Sequence, residues 1–321
     1  KYVTYGVDVD KAKLQYARKT IDNAHTVFLD HKTKNYPNCD YYILCLPTDA
    51  SETNQLDTTL IESCLYEIQH INPEARLIIK STLPSGFCRS VVSELPNLFY
   101  SPEFLREGSA LFDVLNPDRI VVAGPSEHTK DVGEIFNSIC VSPCVVYETS
   151  FEEAELIKLG ANSYLATRVA FFNELDSLCF KMGVRSKLVF DALCADKRVG
   201  NFYNNPSFGF GGYCLPKDTK ALSMAMSEHQ LKLLEQVCFA NDRRIDFFVE
   251  YVANNKFSCV GIYGTEMKSL STNSRASASL ELATRLVRSG VEVVVCERSS
   301  KDRFSHLSYV DSREELFVKC D

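Results

Sequence analysis

Cys214 lies between a glycine-rich run and a proline, in Asn204-Asn-Pro-Ser-Phe-Gly-Phe-Gly-Gly-Tyr-Cys214-Leu-Pro-Lys-Asp218-Thr. Three glycines within four residues let the backbone turn tightly and approach a ligand closely. Pro216 suits the first position of a helix, which places Cys214 just before a helix N-terminus, where the dipole favours a thiolate. Lys217 adds positive charge, and Asp218 is placed to orient a water or accept a proton. The pattern predicts a nucleophilic cysteine; the alternative is one ordinary cysteine in a glycine-rich connection.

Lys158 and Asn162 are four residues apart in a stretch with a helical pattern, so they share a helix face. A lysine and an amide therefore head a face that should be buried, because the residues that continue it are apolar. The pair either lines a pocket or extends its polar ends from the edge of a core, and helical spacing alone leaves both interpretations open. The apolar residues that continue the face are Leu165, Val169 and Phe172.

The stretch from Ser101 to Glu107 is predicted to begin a helix. Ser101 is a good N-cap residue, and Pro102 suits the first helical position. Glu103 and Glu107 then face the same side of that helix. Acidic residues in a first turn commonly just complement the helix dipole, and this alternative to a functional role stays open.

Asp8, Thr48 and Thr82 each come at the end of an apolar, strand-like run. Open α/β sheets bind their ligands at the carboxyl ends of their strands. A carboxylate at the position of Asp8, at the end of a second Rossmann strand, accepts hydrogen bonds from ribose hydroxyls. It favours NAD over NADP because it repels the 2′-phosphate. The alternative for each residue is an ordinary polar side chain at a strand end.

Short apolar runs alternate with longer helical patterns over the first half of the chain, which predicts strands joined by helices. This alternation favours a doubly wound, largely parallel sheet. The predicted strands are Tyr2–Val9, Tyr41–Leu46, Ala75–Lys80, Arg119–Ala123 and Cys144–Tyr147, and the helices between them include Asp10–Ile21 and Asp57–Ile71.

One long helix is predicted from Phe151 to Met182, a stretch without proline. A helix of about 45 Å exceeds what one small domain buries, so it should link domains or carry a dimer interface. Helices are predicted next over Ser186–Ala195 and Asp218–Tyr251, followed by a strand at Cys259–Tyr263, a helix at Ser277–Ser289 and a strand at Glu292–Cys296.

The predicted fold is α/β, with two Rossmann-like doubly wound parallel-sheet domains joined by the long helix and a helical dimerisation domain. The expected boundaries are 1–148 for an N-terminal Rossmann-like domain, 149–254 for a central helical domain, and 255–321 for a C-terminal Rossmann-like domain. We expect the N-terminal domain to be incomplete at its start and the C-terminal domain to be incomplete at its end.

Composition excludes several classes of protein. A net charge of −7 argues against nucleic acid or an anionic membrane as the main partner. The thirteen cysteines are scattered and odd in number, without zinc-ligand spacing, which predicts reduced thiols and no metal. No apolar run is long enough to span a bilayer, and the N-terminus carries no signal-peptide pattern, so we expect a cytoplasmic protein.

Together these segments resemble the UDP-glucose/GDP-mannose dehydrogenase family. The resemblance implies two successive hydride transfers from the C6 alcohol of a UDP-sugar to two NAD molecules, which convert UDP-glucose to UDP-glucuronate. The matching segments are Gly-Val-Asp8-Val-Asp, Leu-Pro-Thr48, Ile-Lys-Ser-Thr82-Leu-Pro-Ser-Gly, Ser-Pro-Glu103-Phe-Leu-Arg-Glu107-Gly-Ser-Ala, Ala-Glu-Leu-Ile-Lys158-Leu-Gly-Ala-Asn162-Ser-Tyr-Leu-Ala, the Cys214 segment, and Met-Lys268-Ser through Arg275.

The same resemblance implies that 1–148 is an NAD-binding domain, that 149–254 is a dimerisation and catalytic domain, and that 255–321 is a UDP-sugar-binding domain. It also implies a role for each site residue. Cys214 forms a thiohemiacetal and then a thioester, while Lys158 and Asn162 stabilise the C6 oxygen. Asp218 and Thr82 position a water, and Glu107 is the base for thioester hydrolysis. The implied UDP-sugar ligands are Glu103, Phe104, Leu105, Arg106, Tyr203, Asn204, Asn205, Ser207, Gly211 and Lys268, with Arg198 reaching the substrate of a neighbouring subunit. The implied NAD contacts are Asp8, Lys13, Thr48, Thr82, Glu107, Lys217 and Arg275.

Two alternatives remain at this stage. One is a relative acting on UDP-N-acetylmannosamine or GDP-mannose, although the Asn-Pro-Ser-Phe-Gly-Phe-Gly-Gly run favours UDP-glucose. The other is a catalytically impaired UDP-sugar-binding or assembly module. It follows from the absence, ahead of Lys1, of the Gly-x-Gly-x-x-Gly turn whose N–H groups cradle pyrophosphate. In each case we expect a homodimer formed through the central helix.

Overall fold

The chain begins with a pair of parallel strands. The computed structural model describes residues 3–21, 25–30, 37–51, 55–265, 276–297 and 306–320. Strands β1 (Thr4–Asp8) and β2 (Thr26–Asp30) run parallel and are joined by helix α1 (Lys11–Thr20). Helix α1 begins there because the Asp10 carboxylate caps it, accepting hydrogen bonds from the N–H groups of its first turn.

A five-stranded sheet follows. Its elements in chain order are β3 (Tyr41–Leu44), α2 (Thr59–Ile71), β4 (Arg76–Ile79), α3 (Phe87–Val91), β5 (Leu98–Tyr100), α4 (Ala110–Leu115), β6 (Ile120–Ala123), α5 (Ser126–Asn137) and β7 (Val146–Thr149). The strand order is β3-β4-β5-β6-β7, parallel except between β5 and β6. Residues of β5 and β6 are all buried, because α2 and α3 cover one face and α5 covers the other.

Helix α6 (Phe151–Met182) leads from this sheet into the helical part of the molecule, with the bounds predicted from the sequence. Ser150 and Glu153 form a capping box at its start, and Gly183 ends it with a left-handed backbone (φ +67°). Helix α6 packs against the two helices that follow Cys214, and its first turns also contribute to the core of the five-stranded sheet.

The remaining helices differ from prediction in their boundaries. They are α7 (Ser186–Cys194), α8 (Cys214–Glu228) and α9 (Leu233–Asn255). The single stretch predicted over Asp218–Tyr251 is wrong, because a turn containing Gln230 in a left-handed conformation (φ +61°) separates two helices. Pro216 was predicted at the first helical position, but α8 begins at Cys214 itself.

A smaller parallel sheet closes the chain. It has the order β10-β9-β8, built from β8 (Cys259–Tyr263), α10 (Ala278–Arg288), β9 (Glu292–Cys296), β10 (Ser308–Val310) and α11 (Arg313–Lys319). The second half of α9 packs on this sheet and on α10. The predicted α/β class, with parallel sheets and a long central helix, is therefore confirmed, whereas β2, β5 and β10 were not predicted. Among the described residues, no helix is both long enough and apolar enough to cross a membrane.

Candidate active site

Lys158 projects from α6 into the interior, where its side chain is only 3% exposed. Its ammonium donates hydrogen bonds to the backbone carbonyl of Glu103 at 2.5 Å and to the Glu103 carboxylate at 3.1 Å. It also lies 5.5 Å from the centre of the Phe104 ring. Because a buried ammonium needs such partners, the pocket interpretation of this helix face is favoured over an amine extended to solvent.

The predicted helix from Ser101 to Glu107 is wrong. Residues 101–106 have no regular structure, and the helix in this region begins only after Ser109. The Ser101 N–H continues the sheet by donating to the Ile79 carbonyl, and Lys158 holds the Glu103 carbonyl that a helix would use internally. These long-range bonds outweigh the local N-cap signal.

Asp218 links helices α6 and α8. Its side chain is fully buried and accepts a hydrogen bond from the Asn162 amide at 2.5 Å and another from the Lys217 ammonium at 2.7 Å. Lys217 is itself only 6% exposed. Asn162 of α6 and the first turn of α8 are therefore joined in one network beside the predicted nucleophile, whereas Lys158 is bonded to Glu103.

Cys214 is half-buried at the first position of α8. Burial is the main cause that raises the pKa of its thiol, and the Asp218 carboxylate raises it further. The ammonium groups of Lys158 and Lys217 lower the pKa but do not offset these effects. The expected low-pKa thiolate is therefore wrong, because burial and Asp218 favour the protonated thiol.

This raised pKa predicts how fast Cys214 is alkylated. A thiol whose pKa lies above the ordinary value of 9.0 stays protonated at neutral pH, so its reaction with iodoacetamide should keep accelerating above pH 9.0. Asp218→Asn removes a charge that raises this pKa, so the variant should be alkylated faster at neutral pH. Peptide mass spectrometry measures the rate, with Cys238 in the same molecule as internal control. Slower alkylation of Cys214 in the Asp218→Asn variant would contradict the assignment of Asp218 as a charge that raises the pKa of Cys214.

The loop before Cys214 brings several predicted UDP-sugar ligands together. Tyr203 has a left-handed backbone (φ +51°), and Asn204 donates to the Cys194 sulfur and to the Asn201 side chain. Gly211 is buried beside the start of α8, whereas Asn205 is exposed. Ser207 is bonded through both its backbone and its hydroxyl to residues of α6 and α9.

Other predicted site residues lie outside the network of Asn162, Lys217 and Asp218. Glu107 is exposed in a turn, and Leu105 is also exposed. The Arg106 guanidinium donates two hydrogen bonds to the Asp113 carboxylate and lowers the pKa of that carboxyl to about 2. Arg198 projects to solvent with a side chain 89% exposed and pairs with Asp196.

Three of the predicted NAD contacts lie at or just beyond strand ends. Asp8 ends β1 and is half-buried, and one of its carboxylate oxygens accepts the Asp10 N–H. Thr48 and Thr82 are buried beyond the ends of β3 and β4, whereas Lys13 is exposed on α1 and Lys217 is buried in α8. The half-buried carboxylate of Asp8, with a second oxygen, is chemically suited to the ribose hydroxyls of NAD.

Two predicted residues, Lys268 and Arg275, lie outside the described residues. Within the described part of the chain, no cluster of three or more His, Cys, Asp or Glu side chains could hold a metal ion.

Sequence reasoning missed Glu155, three residues before Lys158 on α6. Its buried carboxylate accepts hydrogen bonds from the Gly86 N–H at 2.6 Å and the Cys88 N–H at 2.9 Å. Glu155 thereby links the segment 86–88, which follows Thr82, to helix α6, which carries Lys158. The available signal was the spacing of three residues, which puts both charged groups near one helix face.

Comparison with known proteins agrees with this geometry. Residues 7–140 match the NAD-binding domain of the UDP-glucose/GDP-mannose dehydrogenase family, and residues 152–243 match its central domain. The UDP-glucose 6-dehydrogenase of Campylobacter jejuni is 38% identical over 283 residues, which cover 85% of this chain and 72% of that protein.

Two solved structures share the fold. The UDP-glucose dehydrogenase of Pyrobaculum islandicum matches with a TM-score of 0.86 at 24% identity, covering 98% of this chain and 82% of that one. The UDP-D-ManNAc dehydrogenase of Pyrococcus horikoshii matches with a TM-score of 0.83 at 19% identity, covering 100% of this chain and 82% of that one. The family-domain matches and the 38% identical relative lead to one conclusion: the chain belongs to the UDP-glucose/GDP-mannose dehydrogenase family of NAD-dependent oxidoreductases.

Proposed function

We propose that this protein oxidises UDP-glucose to UDP-glucuronate in two NAD-dependent steps, with Cys214 as covalent nucleophile. The observation that carries the proposal is the buried network in which Asn162 of α6 binds Asp218 of α8 at 2.5 Å, next to Cys214. The 38% identity to a UDP-glucose 6-dehydrogenase supports UDP-glucose as the sugar nucleotide.

The first oxidation needs donors around the C6 oxygen. As the alcohol loses a proton and a hydride, its oxygen carries developing negative charge. Lys158 supplies an ammonium and Asn162 an amide to stabilise that charge. Because Lys158 is buried, water does not screen the attraction between its ammonium and the C6 oxygen. When bound, NAD would supply the hydride acceptor for both oxidations. The residues proposed to hold it are Asp8, Lys13, Thr48, Thr82, Glu107, Lys217 and Arg275.

Cys214 then retains the aldehyde. Its sulfur bonds to the aldehyde carbon, the thiol proton is released, and the oxygen becomes the hydroxyl of a thiohemiacetal. Loss of a second hydride and a proton from that centre leaves a thioester. The covalent link keeps a reactive aldehyde from escaping between the two oxidations.

Hydrolysis ends the cycle. Water adds to the thioester carbon, the carbon–sulfur bond breaks, and the uronate leaves while Cys214 regains its proton. We propose that Asp218 and Thr82 orient this water and that Glu107 accepts its proton. The last role is carried over from the family resemblance; of the two acids in this segment, Glu103 is engaged by Lys158 and Glu107 is exposed in a turn.

The reaction stoichiometry tests this function. We expect about two NADH and one uronate per UDP-glucose consumed, since each turnover passes through two oxidations. Absorbance of NADH and chromatography of the sugar nucleotide measure both. UDP-N-acetylmannosamine and GDP-mannose serve as comparison substrates. Faster turnover of either one would overturn UDP-glucose as the substrate, and absence of NADH with all three would overturn the oxidation.

A homodimer through α6 is part of the proposal. Tyr164, Phe171 and Leu178 are spaced seven residues apart on α6, and each is more than half exposed. Such a stripe of large apolar residues along a helix is typical of a buried helix–helix interface. The Arg198 guanidinium is exposed and pairs with Asp196 of the same chain, and the family resemblance implies that it reaches the substrate of a neighbouring subunit.

The proposed domains are 1–148, 149–254 and 255–321. Separate apolar clusters around the five-stranded sheet, the helices and the last sheet support the division, although α6 and α9 each contribute to two clusters. A cytoplasmic location is also proposed, because the thirteen cysteines are scattered and odd in number, which is typical of proteins from reducing compartments.

A further inference from the structure

Asn173 binds the glycine-rich loop from the side of α6. It is only 1% exposed, and its side-chain oxygen accepts the Ser207 N–H at 2.8 Å. Its amide also donates to the Ser207 hydroxyl at 3.3 Å. A buried amide whose two ends both face one loop residue fixes that residue relative to the helix, because leaving either group unpaired is costly.

Arg244 binds the same residue from α9. Its side chain is 4% exposed and donates to the Ser207 carbonyl at 2.9 Å. The remaining donors bind the Asn173 carbonyl at 3.0 Å and the Asp176 carboxylate at 2.6 Å. One guanidinium therefore ties α6, α9 and the loop together, which its planar array of donors makes possible.

Asn241 holds the loop three residues further on. Its oxygen accepts the Phe210 N–H at 2.7 Å, and its amide donates to the Phe210 carbonyl at 3.1 Å. The fit is close: a Cβ on Gly209 would lie 3.0 Å from the Asn241 oxygen and 3.3 Å from the Ala278 Cβ. Glycine at 209 thus permits the approach that Asn241 requires.

We propose that Asn173, Asn241 and Arg244 form a clamp that holds the 207–210 backbone in its ligand-binding conformation before the sugar nucleotide arrives. None of the three is bonded to Cys214, Lys158 or Asp218 among the described contacts, so they are positioning residues. The inference rests on the proposed function, in which residues 204–211 hold the UDP-sugar. A loop ordered in advance spares the ligand the cost of ordering it.

Asn241→Ala and Arg244→Lys test the clamp. We expect the Kd for UDP-glucose, measured by calorimetry, and its KM to rise together by about tenfold, because Asn241→Ala removes two hydrogen bonds to the loop and Arg244→Lys disrupts the one to the Ser207 carbonyl. The KM for NAD and the kcat at saturation should stay close to wild type. Asn254→Ala and Arg243→Lys are matched controls, because both residues are exposed on the same helix and do not contact the loop.

A second measurement separates this inference from the function. Hydrogen exchange of the ligand-free protein should speed up in the peptide covering 201–213 in both variants and in neither control. Loss of active protein alone would lower kcat while Kd and KM stayed constant, and that result would overturn the clamp. Unchanged exchange in the peptide would also overturn it. If the wild type bound no UDP-glucose, the proposed function would fail, and the exchange experiment would still decide the clamp.

Discussion

Replacing Cys214 with serine should lower UDP-glucuronate formation by about a thousandfold or more. A serine hydroxyl is a far weaker nucleophile than a thiol, so the aldehyde produced by the first oxidation is no longer captured. The first oxidation does not require the sulfur and should still yield some NADH. Steady-state NADH formation and chromatography of the sugar nucleotide measure the two steps separately.

Cys238→Ser is the matched control for this variant. Cys238 is half-buried on α9, and burial raises the pKa of its thiol as it does for Cys214, but the charged groups that act on it are Lys220 and Asp242 rather than Lys158 and Asp218. The control should make uronate at the wild-type rate. Undiminished uronate formation by Cys214→Ser would remove the covalent mechanism and leave a direct oxidation of hydrated aldehyde.

Lys158→Met should lower kcat by about 10²–10³, the usual effect of removing one donor to a developing oxyanion. The substitution keeps the length of an apolar stem but removes the ammonium that binds Glu103. Two losses combine: charge stabilisation at C6 and the anchoring of the Glu103 loop. Steady-state kinetics with UDP-glucose and NAD would measure kcat, and thermal unfolding would show that the variant is folded.

Lys181→Met supplies the comparison, because Lys181 is exposed near the end of the same helix. It should retain wild-type kcat. If Lys158→Met kept wild-type kcat in a folded protein, Lys158 would be a structural lysine that merely holds the Glu103 loop, and the oxyanion role would be wrong.

Local signals in the sequence were sufficient for the longest helix. Helix α6 was predicted with its observed bounds because the stretch has no proline and no strand pattern, and in the structure Ser150 and Glu153 cap its start while Gly183 ends it. The face shared by Lys158 and Asn162 followed from helical periodicity. Strand β5 was missed because its three apolar residues are too few to show a pattern, although the sheet buries all of them.

The errors lie where distant residues decide the local structure. Ser101 and Pro102 carry a good helix-start signal, yet Lys158, more than fifty residues away in sequence, holds the Glu103 carbonyl and keeps the segment extended. The expected thiolate at Cys214 failed for a similar reason, because burial and Asp218 act on the sulfur only once α6 and α8 have packed. No local pattern encodes such contacts, so sequence spacing alone could not reveal them.

Acid-quenched mass spectrometry is the most direct test of the covalent intermediate. Wild-type protein mixed rapidly with UDP-glucose and NAD should carry a UDP-glucuronyl thioester on the peptide that contains Cys214, and hydroxylamine should remove it. Omitting NAD should abolish the adduct. Two NADH released per sugar with no adduct on Cys214, or with an adduct on another cysteine, would contradict the account.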